Sequence, residues 1–193
     1  MEINLKELAE SIKSGNEEAF RQFFDIYFPK VYRFLLAMLR SSDDAEDVTS
    51  IAFIYVWDNR EKLRDSEQLV AWLYQIARHR ALDYIRKNKS SRTLSLEGFE
   101  EFLPDGKSSL DVLADHYYTS QYVEGLLSKL SESERAVVYL RFGEGLSFNE
   151  IAQRLGMASI AVRVRMHRII KKLQKRIDDD GEASFQHRPK EIT

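Results

Sequence analysis

The chain contains no cysteine, which excludes disulfides and thiolate metal sites. Glycine and proline are scarce, eight and three residues in 193, and no glycine-rich loop that could cradle a phosphate occurs. The four histidines, His79, His116, His167 and His187, are scattered, and no nucleophile constellation is found. The N-terminal "MEINLKELAESIKSGNEEAF" has neither the basic start nor the apolar core of a signal peptide. The longest apolar run is far short of a membrane span. Strand-like alternation bounded by turns is also missing. These absences predict a cytoplasmic, all-α protein that is not an enzyme, with no cofactor, no metal and no membrane insertion.

Hydrophobic residues make up 44% of the chain and charged residues 31%, and 193 residues leave room for one medium domain or two small ones. The net charge of −2 hides a segregation. Residues 75–92 carry six Lys/Arg against one acid, and residues 141–176 carry nine against two. Between them, residues 93–140 carry nine acids against three bases. Two basic patches with an acidic spacer predict two anionic contacts, or one long polyanion touched twice.

In "EEAFRQFFDIYFPKVYRFLLAML" the apolar residues Phe20, Phe23, Phe24, Tyr27, Phe28, Val31 and Leu35 recur at helical steps, with Pro29 set to kink or divide the helix. "SSDDAEDVTSIAFIYVWDN" opens with capping residues and acids, then turns apolar at Val48, Ile51, Ile54 and Val56. "SEQLVAWLYQIARHRALDYIRKN" predicts a third long helix with Leu73, Ile76, Ala77, Ala81 and Tyr84 on one face. The pattern then fails: "SSRTLSLEGFEEFLPDGKSSLD" predicts a flexible acidic linker. Periodicity resumes near 117 and ends near 177, and "DDDGEASFQHRPKEIT" predicts a disordered tail. The expected divisions are a helical domain over 1–90, a linker over 91–116, a second helical domain over 117–177 and a tail over 178–193, each domain folding on its own.

Ser131 with Glu134, and Ser147 with Glu150, have capping-box spacing, so a helix is expected to start at each. Gly156 supplies a left-handed stop, and a third helix follows with Val162, Met166, Ile169, Leu173 and Ile177 as its buried stripe. A short helix, a glycine turn and a longer basic helix predict a helix-turn-helix. The plain alternative is a three-helix bundle with a solvated charged face. Against it, the exposed positions from Val162 to Ile177 carry bases and no acid, where an ordinary helix mixes signs. The major groove accepts such a helix.

The upstream island, "AWLYQIARHRALDYIRKNK", interleaves Trp72, Tyr74 and Tyr84 with Arg78, His79, Arg80, Arg86 and Lys87. Unpaired bases stack on rings while cations hold the backbone, so this mixture points to single-stranded nucleic acid. Taken singly, each aromatic also fits a core position. The acids Asp43, Asp44, Glu46 and Asp47 have no histidine beside them and sit where a helix dipole favours negative charge.

The three blocks taken in order resemble bacterial sigma factors of the sigma-70 family, in particular the small extracytoplasmic-function (ECF) type. "DDAEDVTSIAFIYVWDN" is similar to the family's region 2.2 and "AWLYQIARHRALDYIRKNK" to its regions 2.3 and 2.4. "LSKLSESERAVVYLRFGEGLSFNEIAQRLGMASIAVRVRMHRIIKKL" is similar to region 4. The resemblance implies a region 2 helical bundle and a region 4 helix-turn-helix. It implies core RNA polymerase as partner, through the β′ coiled coil and the β flap, together with promoter DNA and an anti-sigma factor. Docking to β′ would use Asp43, Asp44, Glu46 and Asp47 with the apolar residues Ile51, Val56 and Trp57. The minus-ten element would be met by Arg64, Trp72, Tyr74, Arg78, His79, Asp83, Arg86 and Lys87. The minus-thirty-five element would be met by Ser159, Ile160, Arg163, Val164, Arg165, His167, Arg168, Lys171 and Lys172.

This chain departs from the family where small polar residues usually line the recognition helix: Ala158, Ile160, Ala161 and Val164 stand there instead. Apolar groups at those positions either meet thymine methyls or pack on polymerase. A helix-turn-helix regulator with a helical sensor or dimerisation domain is the competing reading, and it leaves the aromatic and basic helix upstream without a use.

Overall fold

The computed structural model describes residues 4–88 and 123–186, with side chains up to 179. Helix α1 spans Leu5–Lys13, α2 Glu17–Leu39 and α3 Ser42–Asp58. Two 3-10 turns, Arg60–Lys62 and Ser66–Gln68, lead into α4, Leu69–Lys87. After the undescribed stretch come α5 (residues 123–128) and α6, Glu132–Val138, which continues as a π turn over Tyr139–Gly143. Helices α7, Phe148–Leu155, and α8, Ser159–Gln186, follow. Among the described residues there is no strand.

Side chains set the helix boundaries. The carboxamides of Asn4 and Asn16 and the hydroxyl of Ser41 accept from amides in the first turns of α1, α2 and α3, satisfying donors the helix itself cannot. Both expected capping boxes are present: Ser131 with Glu134, and Ser147 with Glu150. Gly156 ends α7 at φ 62°, ψ 43°, in the left-handed region, where a Cβ is strained.

Helix α2 is the spine. Phe23, Val31, Phe34, Leu35 and Met38 are fully buried along it. Phe53 of α3 docks into its aromatic side, with ring centroids 4.9 Å from Phe24 and 5.9 Å from Phe23. Pro29 neither divides nor ends this helix. It costs the amide that would bond to Asp25, but both residues face solvent, so water can take the freed carbonyl.

Three expectations about boundaries are corrected. The third long helix begins at Leu69, since Ser66–Gln68 winds as a 3-10 turn capped by Asp65. Ile177 does not complete the buried stripe of α8: Val162, Met166 and Ile169 are buried, Leu173 is half-buried, and Ile177 is 47% exposed. The helix also continues to Gln186, so 178–186 is not the disordered tail expected there. A lone glycine such as Gly181 costs a helix interior only about 1 kcal/mol, too little to stop a 28-residue helix. The linker assigned to 91–116 and residues 187–193 lie outside the described residues.

The two halves share one continuous core. Phe34 of α2 packs on Tyr74 of α4 at 5.2 Å and on Tyr139 of the second half at 6.4 Å. Arg135 of α6 is buried, and its guanidinium donates to the carbonyls of Ala37 (2.7 Å) and Met38 (2.6 Å) at the end of α2, as well as to Leu130 (2.5 Å). Beside this contact, Arg40 sits at φ 57° and pairs with Glu124 at 3.4 Å. Carbonyls that α2 leaves open at its C-terminus are thus satisfied from a residue nearly a hundred positions away.

Candidate polymerase-docking and nucleic-acid interfaces

Helix α3 presents the acidic cluster. Asp43, Glu46 and Asp47 are exposed, and Asp43, Asp47, Ile51 and Ile54 recur at helical steps along one face. Ile51 is 48% and Ile54 60% exposed, a large apolar contribution for a surface helix. Next to them lies a groove of about 420 Å³ between α2 and α3, lined by Phe20, Phe24, Phe53, Ile54 and Trp57. Trp57 is half-buried, 4.8 Å from the Phe20 ring and under the Arg60 guanidinium at 4.4 Å. Two residues expected in this surface differ from the rest. Val56 is fully buried, because its position on the helix turns it toward the core, and it cannot touch a partner. Asp44 is half-buried and accepts a hydrogen bond of 2.5 Å from the Tyr84 hydroxyl of α4. It ties α3 to α4 and is no free charge.

The second surface is the edge of α4 and the turns before it. A cleft of about 300 Å³ is lined by Lys62, Arg64, Gln68, Ala71, Trp72 and Gln75. Arg64 is exposed, and half-buried Trp72 offers part of its ring as a wall. His79, Arg86 and Lys87 are exposed further along, and Asp83 is ion-paired with Arg86. Burial, and after it the nearby Arg165 guanidinium, pull the Arg78 pKa below its ordinary value. Tyr74 does not belong to this surface. It is fully buried, and its hydroxyl donates to Glu144 Oε1 at 2.6 Å. Burial, and then the Glu144 carboxylate, push its pKa far above the ordinary phenol value. Sequence reasoning passed over Lys62, Gln68, Gln75 and Ile54; the first two sit in the 3-10 turns, whose shape no periodicity reveals.

The third surface is the helix-turn-helix of α7 and α8. Ser159 starts α8 and donates to Asn149 Oδ1 of α7 at 2.6 Å, bracing the two helices. Ile160 is 68% and Val164 43% exposed. Arg163 is exposed, with its guanidinium 5.4 Å from the Phe148 ring. Arg165 is half-buried with Nη1 3.5 Å from the Met157 sulfur. His167, Arg168 and Lys171 are exposed, whereas Lys172 is engaged by Glu134 at 2.9 Å. Partial burial opposes ionisation of Glu134, but the Ser131 amide and Lys172 outweigh it and hold that carboxyl below its ordinary pKa. The exposed length of α8 is therefore basic and apolar, with no acid from Ser159 to Ile177.

Family models for "Sigma-70 region 2" and "Sigma-70, region 4" match residues 23–91 and 126–175. The RNA polymerase sigma factor SigV of Bacillus subtilis is 31% identical over 140 residues, 72% of this chain and 80% of its own length. The chain belongs to the sigma-70 family. Its relatives place it in the ECF branch: the ECF RNA polymerase sigma factor SigW of Bacillus subtilis is 29% identical over 187 residues, 93% of this chain and all of SigW. Two solved structures share the fold. CnrH, in complex with the cytosolic domain of CnrY, has a TM-score of 0.67 at 24% identity, covering 91% of this chain and 98% of CnrH. The sigma factor RpoE of Bartonella quintana, in complex with the anti-sigma factor NepR, has a TM-score of 0.63 at 22% identity, covering 82% and 96%.

As an ECF sigma factor the protein binds core RNA polymerase and directs promoter-specific initiation. The reading as a self-sufficient helix-turn-helix regulator gives way, since the region 2 match takes in α2 to α4 with the acidic face and the cleft. The region 4 match ends at 175, so the last turns of α8 lie beyond the family's shared segment. Among the described residues no group of His, Asp and Glu side chains could hold a metal ion, and no helix is long and apolar enough to cross a membrane.

Proposed function

We propose that three separate surfaces divide the work of this sigma factor, which acts in the cytoplasm by binding and positioning and catalyses nothing itself. The face of α3 with Asp43, Glu46, Asp47, Ile51 and Ile54, together with the groove at Trp57, docks on the β′ coiled coil. Opposite charge guides the approach, and the exposed isoleucines supply apolar area. The cleft at Arg64 and Trp72 takes an unpaired base of the minus-ten element, and Arg78, His79, Arg86 and Lys87 follow the backbone. Helix α8 enters the major groove at the minus-thirty-five element, with Ile160, Arg163 and Val164 toward base edges and Arg168 and Lys171 toward phosphates. The complexes of CnrH with CnrY and of RpoE with NepR support an anti-sigma factor as the controlling partner here too.

The observation that carries the minus-ten assignment is the half-buried Trp72 in a polar cleft edged by Lys62, Arg64 and Asp65. A Trp72→Ala holoenzyme tests it on promoters selected from a randomised library by the wild-type holoenzyme. Base stacking is worth about 1–3 kcal/mol, so open complex formation, read by permanganate reactivity of unpaired thymines, should fall by roughly five- to a hundredfold. Core binding should stay unchanged. Undiminished melting rules the cleft out as the base pocket.

A further inference from the structure

Helix α1 precedes the region 2 match, which begins at residue 23, yet it packs on both 3-10 turns as well as on α2. Its buried face, Leu8, Ala9 and Ile12, joins the core that also takes in Leu63. Just past its C-terminal end the backbone meets Arg60: a Cβ on Gly15 would lie 3.5 Å from Arg60 Nη2. Arg60 in turn donates from Nη1 to the Trp57 carbonyl at 2.9 Å. Near its start Lys6 reaches Glu67 at 3.9 Å, an exposed pair that contributes little. Between these points, buried Ser66 donates its hydroxyl to Oε1 of Glu10.

The turns that α1 supports carry Lys62, Arg64, Asp65 and Gln68, which line the cleft around Trp72. Each 3-10 turn is only three residues long, and such turns have poorer hydrogen-bond geometry than an α-helix. Their shape therefore depends on what they lean against. Helix α4 begins directly after the second turn, and Gln68 gives it no side-chain cap. The start of α4, with Ala71 and Trp72 in the cleft, is thus placed by a turn that Asp65 caps from one side and Glu10 holds from the other. Removing the carboxylate leaves a buried hydroxyl that reaches water only if the turn loosens.

We propose that Glu10 is a positioning residue for promoter melting: through Ser66 it fixes the turn that carries the minus-ten base cleft. Glu10 touches no DNA. It raises the fraction of chains whose cleft already has the shape that accepts an unpaired base, and capture of the base scales with that fraction. The inference rests on the assignment of the minus-ten element to the cleft at Arg64 and Trp72.

Holoenzymes carrying Glu10→Ala, Ser66→Ala, both together, or Glu10→Gln test it on the promoters used for Trp72→Ala. Permanganate reactivity should fall roughly fivefold or more in Glu10→Ala, equally in Ser66→Ala, and no further in the double variant. Glu10→Gln, whose carboxamide oxygen still accepts, should restore melting to near wild type. Core binding should not change in any of them. Selection from a library randomised in the minus-ten element should show relaxed preference at the position that Trp72→Ala relaxes, which a uniform loss of stability does not produce. In the free chain, amide hydrogen exchange at Lys62, Leu63 and Gln68 should quicken in Glu10→Ala while exchange within α2 stays as in wild type. Unchanged exchange at those three amides overturns the proposal, as does a Glu10→Gln protein as impaired as Glu10→Ala. Undiminished melting in Glu10→Ala beside poor melting in Trp72→Ala refutes the brace alone. Undiminished melting in both refutes the cleft assignment, and the brace with it.

Discussion

Reversing the charge of Asp44 and of Asp47 should have opposite consequences, although the two lie on the same acidic turn. Asp47 is exposed on the second turn of α3, past the reach of the helix dipole, and four residues from the like charge of Asp43. Asp47→Lys turns that repulsion into an attraction worth about 0.2–0.5 kcal/mol, so stability should stay within about 0.5 kcal/mol of wild type. Asp44 sits in the first turn and accepts from the Tyr84 hydroxyl at 2.5 Å. A hydrogen bond to a charged group contributes about 1.5–3 kcal/mol, and the dipole adds about 0.3–1 kcal/mol. Because Asp44 is only half-buried, water recovers part of this, and about 2 kcal/mol is the expected loss for Asp44→Lys. In a chain of this size that lowers Tm by about 4–8 °C. Urea unfolding followed by circular dichroism gives the stability, and anisotropy of labelled protein titrated with core polymerase gives the docking affinity. Asp47→Lys should lose at least tenfold in affinity at unchanged stability. Tyr84→Phe should lose stability at unchanged affinity. Equal stability of the two aspartate variants, or a Tyr84→Phe protein as stable as wild type, refutes the division between a docking charge and a structural one.

Two further outcomes are expected. Burial raises the Tyr74 pKa above its ordinary value, so the folded state keeps a proton that the unfolded state releases above about pH 10; the stability it confers is intact below that pH and falls by about 1.4 kcal/mol per unit above it. Tyr74→Phe should flatten the alkaline slope of urea-unfolding stability by about that amount, and parallel slopes would show the phenol is not held neutral. On the recognition helix, Lys171→Ala should weaken binding to every duplex alike and lower the salt dependence by about one counterion, whereas Arg163→Ala should cost about 1–3 kcal/mol at one position of the minus-thirty-five element. Selection against a library randomised in that element separates the two, and an unchanged preference in Arg163→Ala assigns the reading to Ile160, Val164 or DNA shape.

Much of this molecule could be read from residue order because its helices are locally specified. Capping boxes at Ser131 and Ser147, the left-handed stop at Gly156 and the basic face of α8 depend on neighbours within four residues, and each stands where expected. Val56 and Tyr74 were misplaced for a common reason. Periodicity states that a face is buried, but a residue at the margin of that face is decided by which element covers it. Tyr74 looked like a stacking platform beside bases because its cover, Glu144 and Arg154, lies seventy and eighty positions downstream. Arg135 counted as one of three cations in an acidic stretch; nothing local marks it as the cap of α2. The continuation of α8 past Ile177 shows the opposite error, in which a run of aspartates and a glycine suggested an end that the helix does not take.

The guanidinium of Arg135 has a consequence for the order of events during synthesis. Met38 and Arg135 are 97 positions apart, and at about 5–20 residues per second the ribosome needs roughly 5–20 s to cover that interval. Throughout it, α2 has emerged with the carbonyls of Ala37 and Met38 open to water and Phe34 without Tyr139. Every newly made molecule thus passes through a period in which region 2 exists and its cover does not. The acidic face of α3 begins at Asp43, three residues after Arg40, next to that unfinished helix end, and is the first binding surface the nascent chain offers to the cell.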